Sequence, residues 1–96
     1  MIRIEVIGNR SIQEDFFELL EKEGVGLHYT LIPEAQGNGY SGMRRGDHIF
    51  PEENFVFFSW VEDEDRGRII RDIVEALRER FPDEGIAFFV SACVDL

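Results

Sequence analysis

The sequence has few of the residues that form disulfides, zinc sites and nucleic-acid surfaces. Cys93 is the only cysteine, so no disulfide can form within the chain. The two histidines, His28 and His48, show no zinc-type spacing with Cys93, and no metal site is predicted. Ten basic residues stand against twenty acidic ones, and the formal net charge of −10 argues against nucleic-acid binding.

Long apolar runs are also lacking. None is long enough to cross a membrane, and the N-terminal MIRIEVIGNRS is too short in its apolar part for a signal peptide. We therefore expect a cytoplasmic protein that is not embedded in a membrane. At 96 residues the chain has room for one domain, residues 1–96, around one core. No nucleophile, base and acid can be assigned from the sequence, so catalysis is not the default expectation and no catalytic residue is predicted.

Hydrophobic periodicity predicts four strands and two helices. The strands are expected at residues 2–7, 27–33, 54–61 and 86–94, and the helices at 11–22 and from 63 to about 80. The S-I-Q-E sequence predicts Ser11 as the N-cap of the first helix, and Asp63 is predicted to cap the second. The order β-α-β-β-α-β is that of the ferredoxin-like α+β fold, a four-stranded antiparallel sheet with two helices on one face.

The last two predicted strands are apolar at consecutive positions. These positions are Phe55 to Phe58 and Ala87 to Val90, so both faces of the sheet are expected to be apolar. Two helices cover only one face, and a large exposed apolar face is unusual in a monomer. The sequence therefore predicts a closed homo-oligomer that buries the second face.

A long glycine-containing segment, residues 34–53, separates the second and third strands. Its GNGYSG has the pattern G-x-G-x-x-G, but no helical period follows it as a dinucleotide-binding turn requires, and the chain is too short for a kinase. From Glu34 to Ile49 two acids balance two arginines, so the rest of the chain carries the entire −10. Arginines beside glycine backbone N–H groups suit phosphate or carboxylate. A loop without a ligand is the alternative. The candidate ligand-binding residues are Gly37, Gly39, Tyr40, Ser41, Gly42, Arg44 and Arg45.

The segment from Tyr29 to Gly42 reads YTLIPEAQGNGYSG. In this segment, in the strand order and in the long loop, the chain resembles the PII-like signalling proteins, trimeric regulators related to nitrogen regulatory protein PII. The resemblance implies a homotrimer that binds adenine nucleotides in clefts between subunits. It also implies that Gly37 and Gly39 lie at the base of a T-loop that reaches a transporter or enzyme partner. Members that bind ATP carry a glycine- and lysine-rich turn after the second helix, whereas this chain has FPDEGIAFF, without lysine.

The function predicted from these features is regulation through binding of a small anionic effector, and the cofactor is unknown. The alternative is an acylphosphatase-like hydrolase of phosphate esters or acyl phosphates. It would use the loop from Gly8 to Ser11, where a helix N-terminus and Arg10 could hold a phosphate.

Overall fold

Four long strands form one antiparallel sheet in the computed structural model, which describes residues 1–39, 42–44, 53–94 and 96. In chain order the strands of the molecule are β1 Ile2–Asn9, β2 Tyr29–Ala35, β3 Gly37–Gly39, β4 Gly42–Arg44, β5 Asn54–Val61 and β6 Ile86–Ala92. The sheet has the order β2-β5-β1-β6, and β3 and β4 pair separately with each other. Strand β5 is an inner strand of the sheet, as its run of β-branched and aromatic residues predicted.

Two helices, α1 Gln13–Glu23 and α2 Glu64–Arg80, complete the fold. The predicted ferredoxin-like arrangement is thereby confirmed. Gly24 ends α1 in the left-handed conformation at φ 66°. The predicted cap of α2 is confirmed, because the Asp63 carboxylate accepts a hydrogen bond of 2.8 Å from the backbone N–H of Asp65.

The core lies between the helices and one face of the sheet. Phe55 and Phe57 of β5 point to this face, and the ring of Phe16 from α1 packs against both, at centroid distances of 5.6 and 5.1 Å. Helix α2 comes close to β1 at Gly67, where a Cβ atom would lie 3.1 Å from Ile2 Cδ1. The fully buried core side chains include Ile4, Val6, Phe16, Phe55, Phe57, Ile70 and Val74. Both helices therefore cover the same face, as predicted.

The cap predicted at the start of the first helix is wrong. Ser11 does not cap α1; instead the buried side chain of Asn9 accepts a 2.9 Å hydrogen bond from the Ser11 N–H and begins a 3-10 turn that leads into the helix. The reason is that β1 runs two residues beyond its predicted end at Ile7. Because Asn9 pairs with Asn54 of β5, the strand delivers Asn9 to the capping position.

Replacement of this cap gives a direct test. We expect Asn9→Ala to lower the free energy of unfolding by about 1–2 kcal/mol, because it leaves the Ser11 N–H without its acceptor. Ser11→Ala is the matched control and should change it by less than about 0.5 kcal/mol, since Ser11 is exposed. Urea denaturation followed by circular dichroism measures both. Equal effects of the two substitutions would contradict the assignment of Asn9 as the cap.

Strand β2 lies two residues further along the chain than predicted, at Tyr29–Ala35 instead of 27–33. Pro33 does not end it, because β2 is at the edge of the sheet and its pairing with β5 shifts register between Ile32 and Ala35. A proline without an N–H is tolerated at such a bulge on an edge strand. At the other edge, β6 ends at Ala92, two residues before its predicted end.

Candidate functional site at the base of the loop

The glycine pattern falls in a small hairpin rather than in a turn before a helix. Gly37 pairs with Arg44 and Gly39 pairs with Gly42, in antiparallel register. The structure therefore brings together the backbones of four predicted ligand-binding residues, Gly37, Gly39, Gly42 and Arg44. The other three, Tyr40, Ser41 and Arg45, lie outside the described residues, and so does His48. The hairpin was not predicted, since glycine-containing strands of only three residues give almost no periodic signal.

An arginine from a different part of the chain joins the two ends of the loop. The Arg10 guanidinium contacts the Glu34 carboxylate at 3.1 Å and the Glu53 carboxylate at 3.3 Å, both through Nη1. Glu34 lies near the end of β2 and Glu53 immediately precedes β5, so these carboxylates flank the segment that carries the hairpin. The Arg10 backbone N–H also donates to the Glu53 carbonyl at 2.8 Å. We call Arg10, Glu34 and Glu53 the loop-base cluster.

The loop-base cluster is partly open to solvent. The side chains of Arg10 and Glu34 are 54% and 62% exposed, whereas that of Glu53 is 25% exposed. Ion pairs at such sites contribute roughly 0–1 kcal/mol each. What the cluster shows is a position: one guanidinium contacts the end of β2 and the residue before β5, where the chain leaves and re-enters the sheet.

Part of this cluster follows from the pairing of β1 with β5. Because β1 and β5 are antiparallel neighbours, the residue after the end of β1 must lie next to the residue before the start of β5. Arg10 and Glu53 occupy these two positions. Because the first strand was predicted to end at Ile7, the predicted elements alone did not bring Arg10 next to Glu53; the observed extension of β1 to Asn9 does.

The loop from Gly8 to Ser11, proposed as an alternative phosphate site, has its donors engaged within the chain. The Asn9 N–H donates to the Gly85 carbonyl at 2.8 Å, the Arg10 N–H to Glu53, and the Ser11 N–H to the Asn9 side chain. The glycine has a packing role, since a Cβ atom on Gly8 would lie 2.9 Å from Phe55 Cε1. With Arg10 held by two carboxylates as well, the geometry does not favour an acylphosphatase-like site.

The two remaining metal-site candidates do not come together. His28 is exposed and its carbonyl accepts a hydrogen bond of 2.9 Å from Ser59 Oγ, while the backbone N–H of Cys93 donates to the Met1 carbonyl. Within residues 1–39, 42–44 and 53–94, no three His, Cys, Asp or Glu side chains are grouped as metal ligands would be.

A cavity of about 260 Å³ lies away from the loop base, between the N-terminal half of α2 and strands β1 and β6. Its lining includes Ile2, Gly67, Arg68, Phe88 and Val90. Ile2 is at the opposite end of β1 from Asn9, so the cavity does not belong to the loop-base cluster. Its apolar floor is part of the contact between α2 and the sheet.

Comparison with solved structures decides which fold family this arrangement matches. One similar structure is that of CPII, a nitrogen regulatory PII-like protein from Thiomonas intermedia K12, bound to ADP, AMP and bicarbonate. Its sequence is 21% identical, the match covers 94% of this chain and 82% of CPII, and the TM-score is 0.67. A proposed PII-like signalling protein from Thermus thermophilus is 20% identical over 94% of this chain and 83% of its own, with a TM-score of 0.61. The chain has the PII-like fold. No protein-family model matches it, and no curated protein matches it in sequence.

The PII-like fold confirms the resemblance drawn from the loop and the strand order, at the level of architecture. The apo form of CPII also matches, at 15% identity and a TM-score of 0.56, with 94% of this chain and 87% of that chain covered. In the PII-like fold of this chain, the loop-base cluster lies at the end of β2 and the start of β5. Of the described residues, neither α1 nor α2 is a helix that could span a membrane.

Proposed function

We propose that this protein is a small PII-like regulator that binds an anionic effector in clefts between the subunits of a homotrimer. The single observation that carries the proposal is the PII-like fold, shared with a CPII structure that contains ADP, AMP and bicarbonate. All three of those ligands are anions. The effector would bind near the base of the segment that holds the hairpin, and that segment would act on a partner such as a transporter or enzyme.

The charge distribution supports an anion site at this segment. On a chain with a net charge of −10, anions are repelled at long range, and an effector needs a region that is locally less acidic. The segment from Glu34 to Ile49 has no net charge and includes Arg44 and Arg45. Gly37, Gly39 and Gly42, with Tyr40 and Ser41, would offer backbone and hydroxyl groups beside those guanidinium groups. We propose that these residues bind the effector.

The exposed sheet face supports a homo-oligomer. Opposite the helices, Trp60 is 47% and Phe89 is 55% exposed, and these two side chains belong to different strands of one apolar surface. Water-exposed apolar surface of this kind favours association. We take the number of three subunits from the resemblance to PII-like proteins. We propose a location in the cytoplasm because the sequence has a single cysteine and no apolar run long enough for a signal peptide or a membrane span. Because the backbone donors of the loop from Gly8 to Ser11 are engaged within the chain, we propose a regulatory rather than an enzymatic role.

Calorimetric titration of the purified protein with ADP, AMP, ATP and bicarbonate tests the effector class. We expect binding of ADP or AMP to exceed that of ATP, because the turn after α2 carries Asp83 and Glu84 and no lysine to meet a third phosphate. Loss of both arginines in Arg44→Ala with Arg45→Ala should weaken binding at least about 10-fold, since hydrogen bonds to charged groups contribute about 1.5–3 kcal/mol.

The matched control removes two arginines from α2 instead, as Arg68→Ala with Arg71→Ala. Both of these side chains are about half exposed, and the change in net charge is the same. We expect the control to bind the effector as the unmodified protein does. Equal binding by both double variants would show that Arg44 and Arg45 have no specific role. Absence of binding of all four ligands at more than one temperature would exclude this effector class, since a binding enthalpy can be close to zero at one temperature.

A further inference from the structure

The apolar sheet face opposite the helices contains two charged residues on its inner strand β1. Its apolar members are Ile7, Ile32, Val56, Phe58, Trp60, Ala87 and Phe89. Arg3 and Glu5 of the inner strand β1 point to the same face, with Arg3 paired opposite Trp60 and Glu5 opposite Phe58. Burying a charge on an apolar face costs several kcal/mol unless the charge gains a partner. Any molecule that covers this face must therefore supply charged or hydrogen-bonding partners to Arg3 and Glu5.

The Arg3 side chain is held against the face by aromatic rings. Its guanidinium carbon lies 4.4 Å from the ring centroid of Phe58 and 5.9 Å from that of Trp60, within the range of cation–π attraction. These contacts fix the guanidinium over the surface instead of leaving it free in solvent. The side chain is 37% exposed, so part of the group remains available to a partner.

The Arg3 guanidinium does not make all of its possible hydrogen bonds within the chain. Its Nε is shielded from solvent and has no hydrogen-bond partner. The nearest contact between its Nη2 and the Glu5 carboxylate is 3.9 Å, which is too long for a hydrogen bond. Glu5 is 31% exposed and is likewise not closely bound by Arg3. A donor and an acceptor that could satisfy each other thus lie side by side on one face without doing so.

We propose that Arg3 forms a hydrogen-bonded ion pair with Glu5 of a second copy of this chain across this face. The inference rests on the homo-oligomer of the proposed function and names the contact that sets its register. The charge pattern of the face is self-complementary, since every copy offers one guanidinium and one carboxylate. In a closed symmetric assembly each copy would therefore donate through Arg3 and accept through Glu5.

The ion pair also determines the register in which two faces associate, which apolar residues alone do not. Apolar contacts are non-directional, so two flat apolar faces can associate in several registers. A charged pair inside the contact makes one register favourable and penalises the others, because a shifted register would bury both charges unpaired. Arg3 and Glu5 thus favour a second copy of this chain over an unrelated apolar surface, which provides no matching charges.

Charge reversal in solution tests the pair. Light scattering of the unmodified protein gives the reference mass, and the variants R3E, E5R and the double variant R3E with E5R follow at the same concentrations. We expect each single variant to raise the concentration needed for half-assembly by about 30-fold or more, because it places like charges together in the interface. The double variant should regain assembly, since the charges are exchanged but remain complementary.

Mixing the two single variants separates pairing between copies from pairing within one chain. R3E chains carry two carboxylates and E5R chains carry two guanidinium groups, so contacts between like chains are repulsive and contacts between unlike chains are complementary. In a mixed trimer two of the three contacts are complementary, whereas in a trimer of one variant none is. Native mass spectrometry should then show mixed oligomers. If the pair formed only within one chain, the mixture would remain as dissociated as its components.

Two controls keep the outcomes distinct. Arg68→Glu reverses an arginine on α2, which lies on the other side of the sheet, and should leave the assembly unchanged. Circular dichroism of R3E, E5R and the milder Glu5→Gln establishes that each chain is folded. An oligomer whose single reversals assemble normally would overturn the pair and leave the homo-oligomer standing. A monomeric unmodified protein would overturn both.

Discussion

Phe57→Ala is expected to lower the free energy of unfolding by about 3–5 kcal/mol, the usual cost of truncating a buried phenylalanine. Phe57 is fully buried, and its ring contacts those of Phe16 at 5.1 Å and Tyr29 at 5.6 Å. It therefore joins α1 to the inner and edge strands β5 and β2. Because a domain of this size is stable by about 5–15 kcal/mol, the loss is a large fraction of the total. Urea denaturation measures it.

The control is a phenylalanine on the other face of the sheet. Phe89→Ala removes a ring that is 55% exposed within one chain, so its effect on the unfolding of a single subunit should be small. In an oligomer the apparent stability depends on protein concentration, and the two variants should respond differently to dilution. The loss caused by Phe57→Ala should persist at every concentration. If Phe57→Leu and Phe57→Ala both left the midpoint unchanged, the core described here would be wrong.

Phe89→Asp is expected to convert the oligomer into a monomer of 11.2 kDa at concentrations where the unmodified protein is assembled. It removes an exposed ring from the second face and introduces an unpaired charge into the proposed interface. Together these changes should weaken association by about 100-fold or more, since burying an aromatic side chain contributes about 1.5–3 kcal/mol and an unpaired buried charge adds to the loss. Light scattering across a dilution series measures the shift.

The neighbouring residue provides the matched control. Val90 is 51% exposed, almost as much as Phe89, but alternation along β6 directs it to the helix side of the sheet. Val90→Asp introduces the same charge one residue away and should leave the assembly intact. Dissociation by both variants would place the contact at the edge of β6 instead of on the face. Dissociation by neither would remove the face from the assembly.

Much of the architecture was predictable because its signals are local. The dense run from Asn54 to Val61 indicated an inner strand, and the spacing of Ile70, Ile73 and Leu77 indicated one buried stripe of a helix. Asp63 was recognised as a cap because its hydrogen bond reaches only two residues along the chain. The resemblance to PII-like proteins rested on the strand order and the segment from Tyr29 to Gly42, and the fold confirms it.

The candidate site was predicted less well because its contacts are distant in sequence. Arg10 contacts residues 24 and 43 positions away, which no local pattern reveals. Ser11 had a capping sequence, yet pairing of β1 with β5 and β6 extended the strand to Asn9 and moved the cap there. The hairpin of Gly37–Gly39 with Gly42–Arg44 was missed because strands this short have no measurable period.

The sequence by itself determined the order of the four sheet strands and the two helices, the two apolar faces of the sheet and the locally neutral segment from Glu34 to Ile49. Each follows from residue type and from periodicity within a few positions. Tertiary structure alone decided that Arg10 joins Glu34 to Glu53, and that Arg3 lies over Phe58 with a donor unsatisfied. The physical reason is that antiparallel pairing brings together residues that are far apart along the chain, and its register determines which side chains meet.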